Sequence, residues 1–81
     1  MNIEKRKRNE KKFKSWEELK DGGRRYWYTV IGRSRWKAVY VKEVNKNEET
    51  VRFYQNIYNE SGKLVETHEK YPIDRGHKKI E

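Results

Sequence analysis

From Arg24 onward the chain breaks into four short runs of alternating residues, each ended by a turn signal. These are RRYWYTVI (24–31) before Gly32-Arg33-Ser34, WKAVYVKEV (36–44) before NKNE, TVRFYQNIY (50–58) before NESG, and LVETHEKY (64–71) before Pro72. A period of two punctuated by tight turns predicts consecutive β-hairpins, and hence a four-stranded antiparallel meander. The third run alternates most cleanly: Val51, Phe53, Gln55 and Ile57 on one face, Arg52, Tyr54, Asn56 and Tyr58 on the other. A type I turn with a glycine bulge at NESG sets a predicted register of Tyr58 opposite Lys63, Ile57 opposite Leu64, Phe53 opposite His68 and Arg52 opposite Glu69.

Upstream, FKSWEELKDGG carries a helix signature. Ser15 and Glu18 can form a capping box, Gly22-Gly23 can stop the helix, and Phe13, Trp16 and Leu19 fall at spacings of three. A short helix over 16–20 is therefore predicted to pack on the sheet. Residues 1–12 have no apolar period and read as a flexible, disordered basic arm. The expected organisation is that arm followed by one small α+β domain over 13–81, a short N-terminal helix packed on a four-stranded antiparallel β-meander.

Eighty-one residues sit near the lower limit for a core without disulfides or metal. Only 32% of them are apolar and 42% are charged, so the three Trp, six Tyr and two Phe must supply most of the buried surface. A helix can cover only part of one face of such a sheet, which leaves aromatic side chains exposed or meeting a partner. The chain has no Cys, no apolar leader and no run long enough to span a bilayer, which predicts a cytoplasmic protein without membrane contact. Its Lys/Glu-rich composition also suits a thermophile.

Seven basic and two acidic groups fall in residues 1–14, giving that segment +5 of the chain's formal +8. Aromatic and basic residues interleave in RRYWY, RSRWKAVY and RFYQNIY. Such a surface can stack splayed bases while cations meet phosphates, so the candidate nucleic-acid-binding residues are Arg25, Tyr26, Trp27, Arg33, Arg35, Trp36, Arg52, Tyr54 and Tyr58. The arm adds Lys5, Arg6, Lys7, Arg8, Lys11 and Lys12, whose phosphate contacts would release counterions. The plainer reading is that Tyr and Trp are good strand formers beside solubilising charge.

The remaining chemistry lies in HEKYPIDRGHKKIE (68–81), which holds both histidines. A metal-independent ribonuclease needs a general base, a general acid and a cation, and His68, His77, Arg75 and Lys78 are of the right types. Alternation separates His68 and Lys70 from Glu69 and Tyr71, and His77 lies beyond Pro72, so a shared site requires the tail to fold back. Two histidines with scattered carboxylates lack the spacing of a zinc site, and no Gly-rich phosphate loop precedes a helix, so no metal or cofactor is expected.

Across 51–77 the run Arg52-Phe53-Tyr54, Ile57-Tyr58, Gly62, Leu64-Val65, His68 to Pro72, Asp74 and Gly76-His77 resembles a family of small uncharacterised bacterial and archaeal proteins. The resemblance covers about a third of the chain and implies a prokaryotic, stand-alone small domain with no activity to carry over. In style the chain is also similar to small toxin components of toxin–antitoxin pairs, which keeps the ribonuclease reading in view. Three functions follow as expectations: a non-enzymatic nucleic-acid-binding module, for RNA rather than DNA; a ribonuclease of toxin type using His68 and His77; and a protein-interaction module or homodimer built on exposed aromatics.

Overall fold

A computed structural model describes residues 1–80 and gathers the alternating runs into one antiparallel sheet; Glu81, the last residue of the predicted domain, lies outside the described residues. In chain order the elements are helix α1 (Ile3–Lys12) and strands β1 (Ser15–Glu18), β2 (Arg24–Ile31), β3 (Lys37–Val44), β4 (Thr50–Tyr58), β5 (Leu64–Tyr71) and β6 (Gly76–Lys79). Each strand pairs with the next, so order in space equals order in the chain. The α+β class and the meander hold, but the sheet has six strands rather than four.

Both extra strands come from segments read otherwise. SWEE pairs with β2, Trp16 opposite Tyr26 and Glu18 opposite Arg24, instead of forming the helix predicted over 16–20. One or two isolated helical turns are marginal. The ladder to β2 satisfies the same backbone groups, and Glu18 bonds the Arg24 guanidinium at 2.8 Å while that guanidinium lies 5.2 Å from the Trp16 ring centroid. At the other end Gly76–Lys79 folds back on β5, so the tail continues the sheet.

The predicted disordered arm is instead α1. Asn2 caps it by accepting a bond from the Lys5 amide at 3.0 Å, Glu4 occupies its first turn, and Lys11 and Lys12 occupy its last, each complementing the helix dipole. Apart from the exposed Ile3 the helix is polar and has no apolar stripe to reveal it. Polar side chains dock it: Arg6 and Asn9 donate to Glu48, Glu10 accepts from Arg24 at 2.6 Å, and Lys42 donates to Asn9 at 2.9 Å.

Three of the hairpin turns are built alike. Leu19, Asn45 and Asn59 each donate to the carbonyl four residues on, and Gly22, Glu48 and Gly62 respectively donate back. Those last three residues have positive φ, +86°, +63° and +80°. Glycine takes this left-handed conformation freely, whereas a side chain there costs on the order of 1 kcal/mol. Glu48 is held in it because its carboxylate is the buried anchor of α1, and the residue is 2% exposed.

The β4–β5 turn forms with Gly62 where predicted, but Asn59 and Lys63 close it, and bulges at Val65 and Lys70 shift the register further. Tyr58 therefore faces Leu64, Ile57 faces Glu66, Gln55 faces His68 and Tyr54 faces Glu69. Arg52 reaches Glu69 diagonally, its Nε at 2.8 Å from the carboxylate, so the predicted ion pair forms without the predicted direct opposition.

Registers across the six strands define two faces. One carries Trp16, Tyr26, Tyr28, Tyr40, Lys42, Phe53, Gln55, His68 and His77; α1 docks over its Tyr26–Lys42 end. The core here is Phe13, Tyr26 and Val44, with Tyr28 and Phe53 packed against it; the Phe13 ring centroid lies 5.8 Å from that of Tyr26 and 5.3 Å from that of Tyr28. The other face carries Arg25, Trp27, Val39, Val41, Tyr54, Asn56 and Tyr58 and, among the described residues, has no α-helix over it.

Candidate nucleic-acid interface

Beneath α1, Glu48 of the β3–β4 turn accepts from the Tyr26 hydroxyl at 2.5 Å, from Asn9 Nδ2 at 3.3 Å and from Arg6 at 3.1 and 3.2 Å. Burial works to raise the Glu48 pKa, but hydrogen bonds from Tyr26, Asn9 and Arg6 outweigh it and hold the carboxyl below its ordinary value. The same burial, with the Glu48 bond, pushes the Tyr26 phenol up to about 12. Tyr26, predicted to offer a stacking surface, is 0% exposed and belongs to the core. Arg6, predicted to meet phosphate, is committed to Glu48.

The other predicted cations of this segment stand free. Lys5, Lys7, Arg8, Lys11 and Lys12 are exposed on α1, and none makes an ion pair among the described residues. Beside them lies Lys42 of β3, half-buried and bonded to the neutral Asn9 amide oxygen. Burial lowers the Lys42 pKa first, and the charges of Lys12, Lys5 and Arg8 lower it further against the opposing pull of Glu48. Sequence reasoning missed Lys42. Its signal was the period of two in β3, which puts it in the row of Ala38 and Tyr40, the row that meets Tyr26 and Tyr28 of β2.

The helix-free face is differently charged. Arg25 pairs with Glu43 at 2.9 Å and with Glu17, and Arg52 pairs with Glu69, so these two of the predicted arginines are already matched by carboxylates. Trp27 and Tyr54 flank Val41 in one cross-strand row, and the Arg52 guanidinium lies 4.1 Å from the Tyr54 centroid. Tyr58 shares this face at the end near Lys37. Arg33, Arg35 and Trp36 sit at the β2–β3 turn, where Ser34 and Arg35 have positive φ and the Trp36 indole donates to Glu60 at 2.6 Å.

His68 and His77 are direct cross-strand partners with ring centroids 4.4 Å apart. His68 Nε2 lies 2.6 Å from Asp74, and His77 Nδ1 lies 3.0 Å from Glu66. Gly76 N–H and the His68 ring hold the Asp74 carboxyl below its ordinary value. His68 Nδ1 is buried without a hydrogen-bond partner and Nε2 is occupied by Asp74, whereas the His77 ring is exposed. Of the proposed supporting cations, Lys78 falls on the opposite face, across from Thr67, and Arg75 lines a groove with Arg52 and Glu69. Lys79, across from Glu66, shares the histidine face.

Among the described residues, no three His, Asp or Glu side chains are gathered so as to hold a metal ion, and no helix is long and apolar enough to cross a membrane. The chain matches no protein-family model, no curated protein and no solved structure.

Proposed function

We propose that the protein binds single-stranded nucleic acid, RNA ahead of DNA, with the phosphates tracking the cations of α1. The observation that carries this reading is the density of unmatched charge on α1: Lys5, Lys7, Arg8, Lys11 and Lys12 make no ion pair among the described residues, while Arg6, Arg24, Arg25 and Arg52 each have at least one carboxylate partner. Five unmatched cations on one ten-residue helix repel one another, and a polyanion relieves that repulsion by exchanging condensed counterions for Lys and Arg. Tyr71, 47% exposed, and Phe53 supply aromatic surface on the same side of the sheet. Unstacked bases on aromatic rings are the common currency of single-strand recognition. The cysteine-free chain suits a reducing cytoplasm, which we propose as its setting.

The test is fluorescence anisotropy with labelled single-stranded RNA and DNA, comparing wild type with Lys7→Gln/Lys11→Gln. Deleting residues 1–12 would confound binding with folding, since Arg6 and Asn9 anchor the fold. Affinity falling in the double variant supports the reading; unchanged affinity rejects it.

A second reading, a metal-independent ribonuclease of toxin type, is favoured by the His68–His77 contact. It has to work with one open ring, His77, because the nitrogens of His68 are taken by Asp74 or enclosed. Two-proton catalysis needs a second group, and Lys79, across from Glu66, is a cation of that face.

A further inference from the structure

Between α1 and strands β3 and β4 lies an open cleft of about 490 Å³. Three of its lining groups are cations, Lys5 and Lys12 from the helix and Lys42 from β3. Three others are aromatic: Phe13, Phe53 and Tyr71. A smaller hollow of about 320 Å³ shares Lys5, Lys12 and Lys42 and adds Arg8. Thr50 lines both.

Four positive side chains thus converge where one of them, Lys42, is half-buried and has only an amide oxygen as partner. Two carboxylates stand beside them and offset part of this charge. Glu48 is enclosed and bonded to Tyr26, Asn9 and Arg6, while Glu49 on the cleft wall accepts from the neutral Asn45 amide at 3.0 Å and keeps its charge, so positive charge remains in excess. A solvated face would hold such cations apart at the surface; here the fold draws them around two hollows that share Lys5, Lys12, Lys42 and Thr50. In the larger one the Tyr71 and Phe53 rings offer a planar partner, with the Lys70 amine 5.7 Å from the Phe53 centroid. The cleft's size falls within the range of small-ligand sites.

We propose that this cleft is a nucleotide subsite, a phosphate lying among Lys5, Arg8, Lys12 and Lys42 and its base stacking on Tyr71 and Phe53. The inference rests on the single-strand-binding reading and fixes where one nucleotide of the strand sits. It predicts that phosphate and base are both required: the cations alone would hold inorganic phosphate weakly, and the rings alone would hold a nucleoside weakly.

The experiment is an NMR titration of the isotope-labelled full chain with uridine 5′-monophosphate, uridine and inorganic phosphate, reading the Lys42 amine, the Lys12 amine and the Tyr71 ring. The nucleotide is expected to shift all three and to bind at least about ten-fold more tightly than uridine or phosphate, as a stacked base adds to a charge contact. Lys42→Met and Tyr71→Ala should each weaken it by about ten-fold, with strand dispersion in amide spectra unchanged. Equal affinity for uridine and its monophosphate, shifts confined to the Trp27–Tyr54 face, or unaltered binding by both variants would overturn the subsite. A parallel titration with RNA of about 12 nucleotides separates the two ideas. Binding of that strand undiminished by Lys42→Met rejects the subsite alone, whereas no binding by wild type rejects the wider reading.

Discussion

The Tyr26 hydroxyl donates a 2.5 Å hydrogen bond to Glu48, joining β2 to the β3–β4 turn under the helix that Glu48 also anchors. One carboxylate with no exposed side-chain surface, together with the Glu10–Arg24 pair, therefore holds α1 in place, and with it the unpaired cations of that helix.

Glu48→Gln removes a buried charge that Arg6 and Tyr26 are arranged to meet. It should cost about 3 kcal/mol in urea unfolding, the lower end for breaking a buried pair because Arg6 keeps some solvent. The folded Glu48 pKa is depressed, so its contribution is fully present above the unfolded carboxyl value and is lost as pH falls through the folded one. Wild-type stability should thus decline below a pH of about 4.5, and the variant's decline should be shallower. Parallel acid limbs would show that Glu48 is not the linked group.

Gly23 sits where β2 passes β3, and a Cβ there would lie 2.2 Å from the Val44 carbonyl oxygen. Gly23→Ala must therefore push two paired strands apart and should cost about 3 kcal/mol, against near neutrality for a surface substitution. Thermal melting checks it, and an unchanged midpoint would mean that β2 and β3 are not in this register.

Arg52 and Glu69 lie on an exposed diagonal of the β4–β5 pair. A double-mutant cycle with Arg52→Ala and Glu69→Ala should give a coupling of about 0.5 kcal/mol, as for other solvent-exposed pairs. No coupling would count against the bulged register of β5.

Much of this architecture was legible because strand signals are local. The four alternating runs became β2 to β5, the glycine turn at NESG formed, and Arg52 found Glu69. The errors share a physical cause. Gly22-Gly23 serves a helix stop and a hairpin turn equally well, and only the pairing of Trp16 with Tyr26 decides between them. Helix α1 is docked by Arg6, Asn9 and Glu10 through partners 14 to 42 residues away, so no apolar period marks it. The cleft around Lys42 depends on that docking and was invisible for the same reason. The histidine pair required β6, a four-residue strand whose Gly76-His77-Lys78-Lys79 shows no alternation of apolar and polar residues.

On the non-enzymatic reading, RNA incubated with the protein in EDTA should remain intact between about pH 5 and pH 8. Gel analysis decides it. Cleavage that disappears in His77→Ala would overturn that reading in favour of acid–base chemistry at the pair.

The central claim, that unmatched cations placed by α1 bind a polyanionic strand, is tested most directly by the salt dependence of RNA affinity. For a single strand each phosphate contact contributes about −0.7 to the slope of log K against log salt, so four or five contacts predict a slope of about −3. Lys7→Gln/Lys11→Gln should make it shallower by about 1.4 while leaving thermal stability unchanged. A slope near zero, or one that the double variant does not alter, would contradict the account.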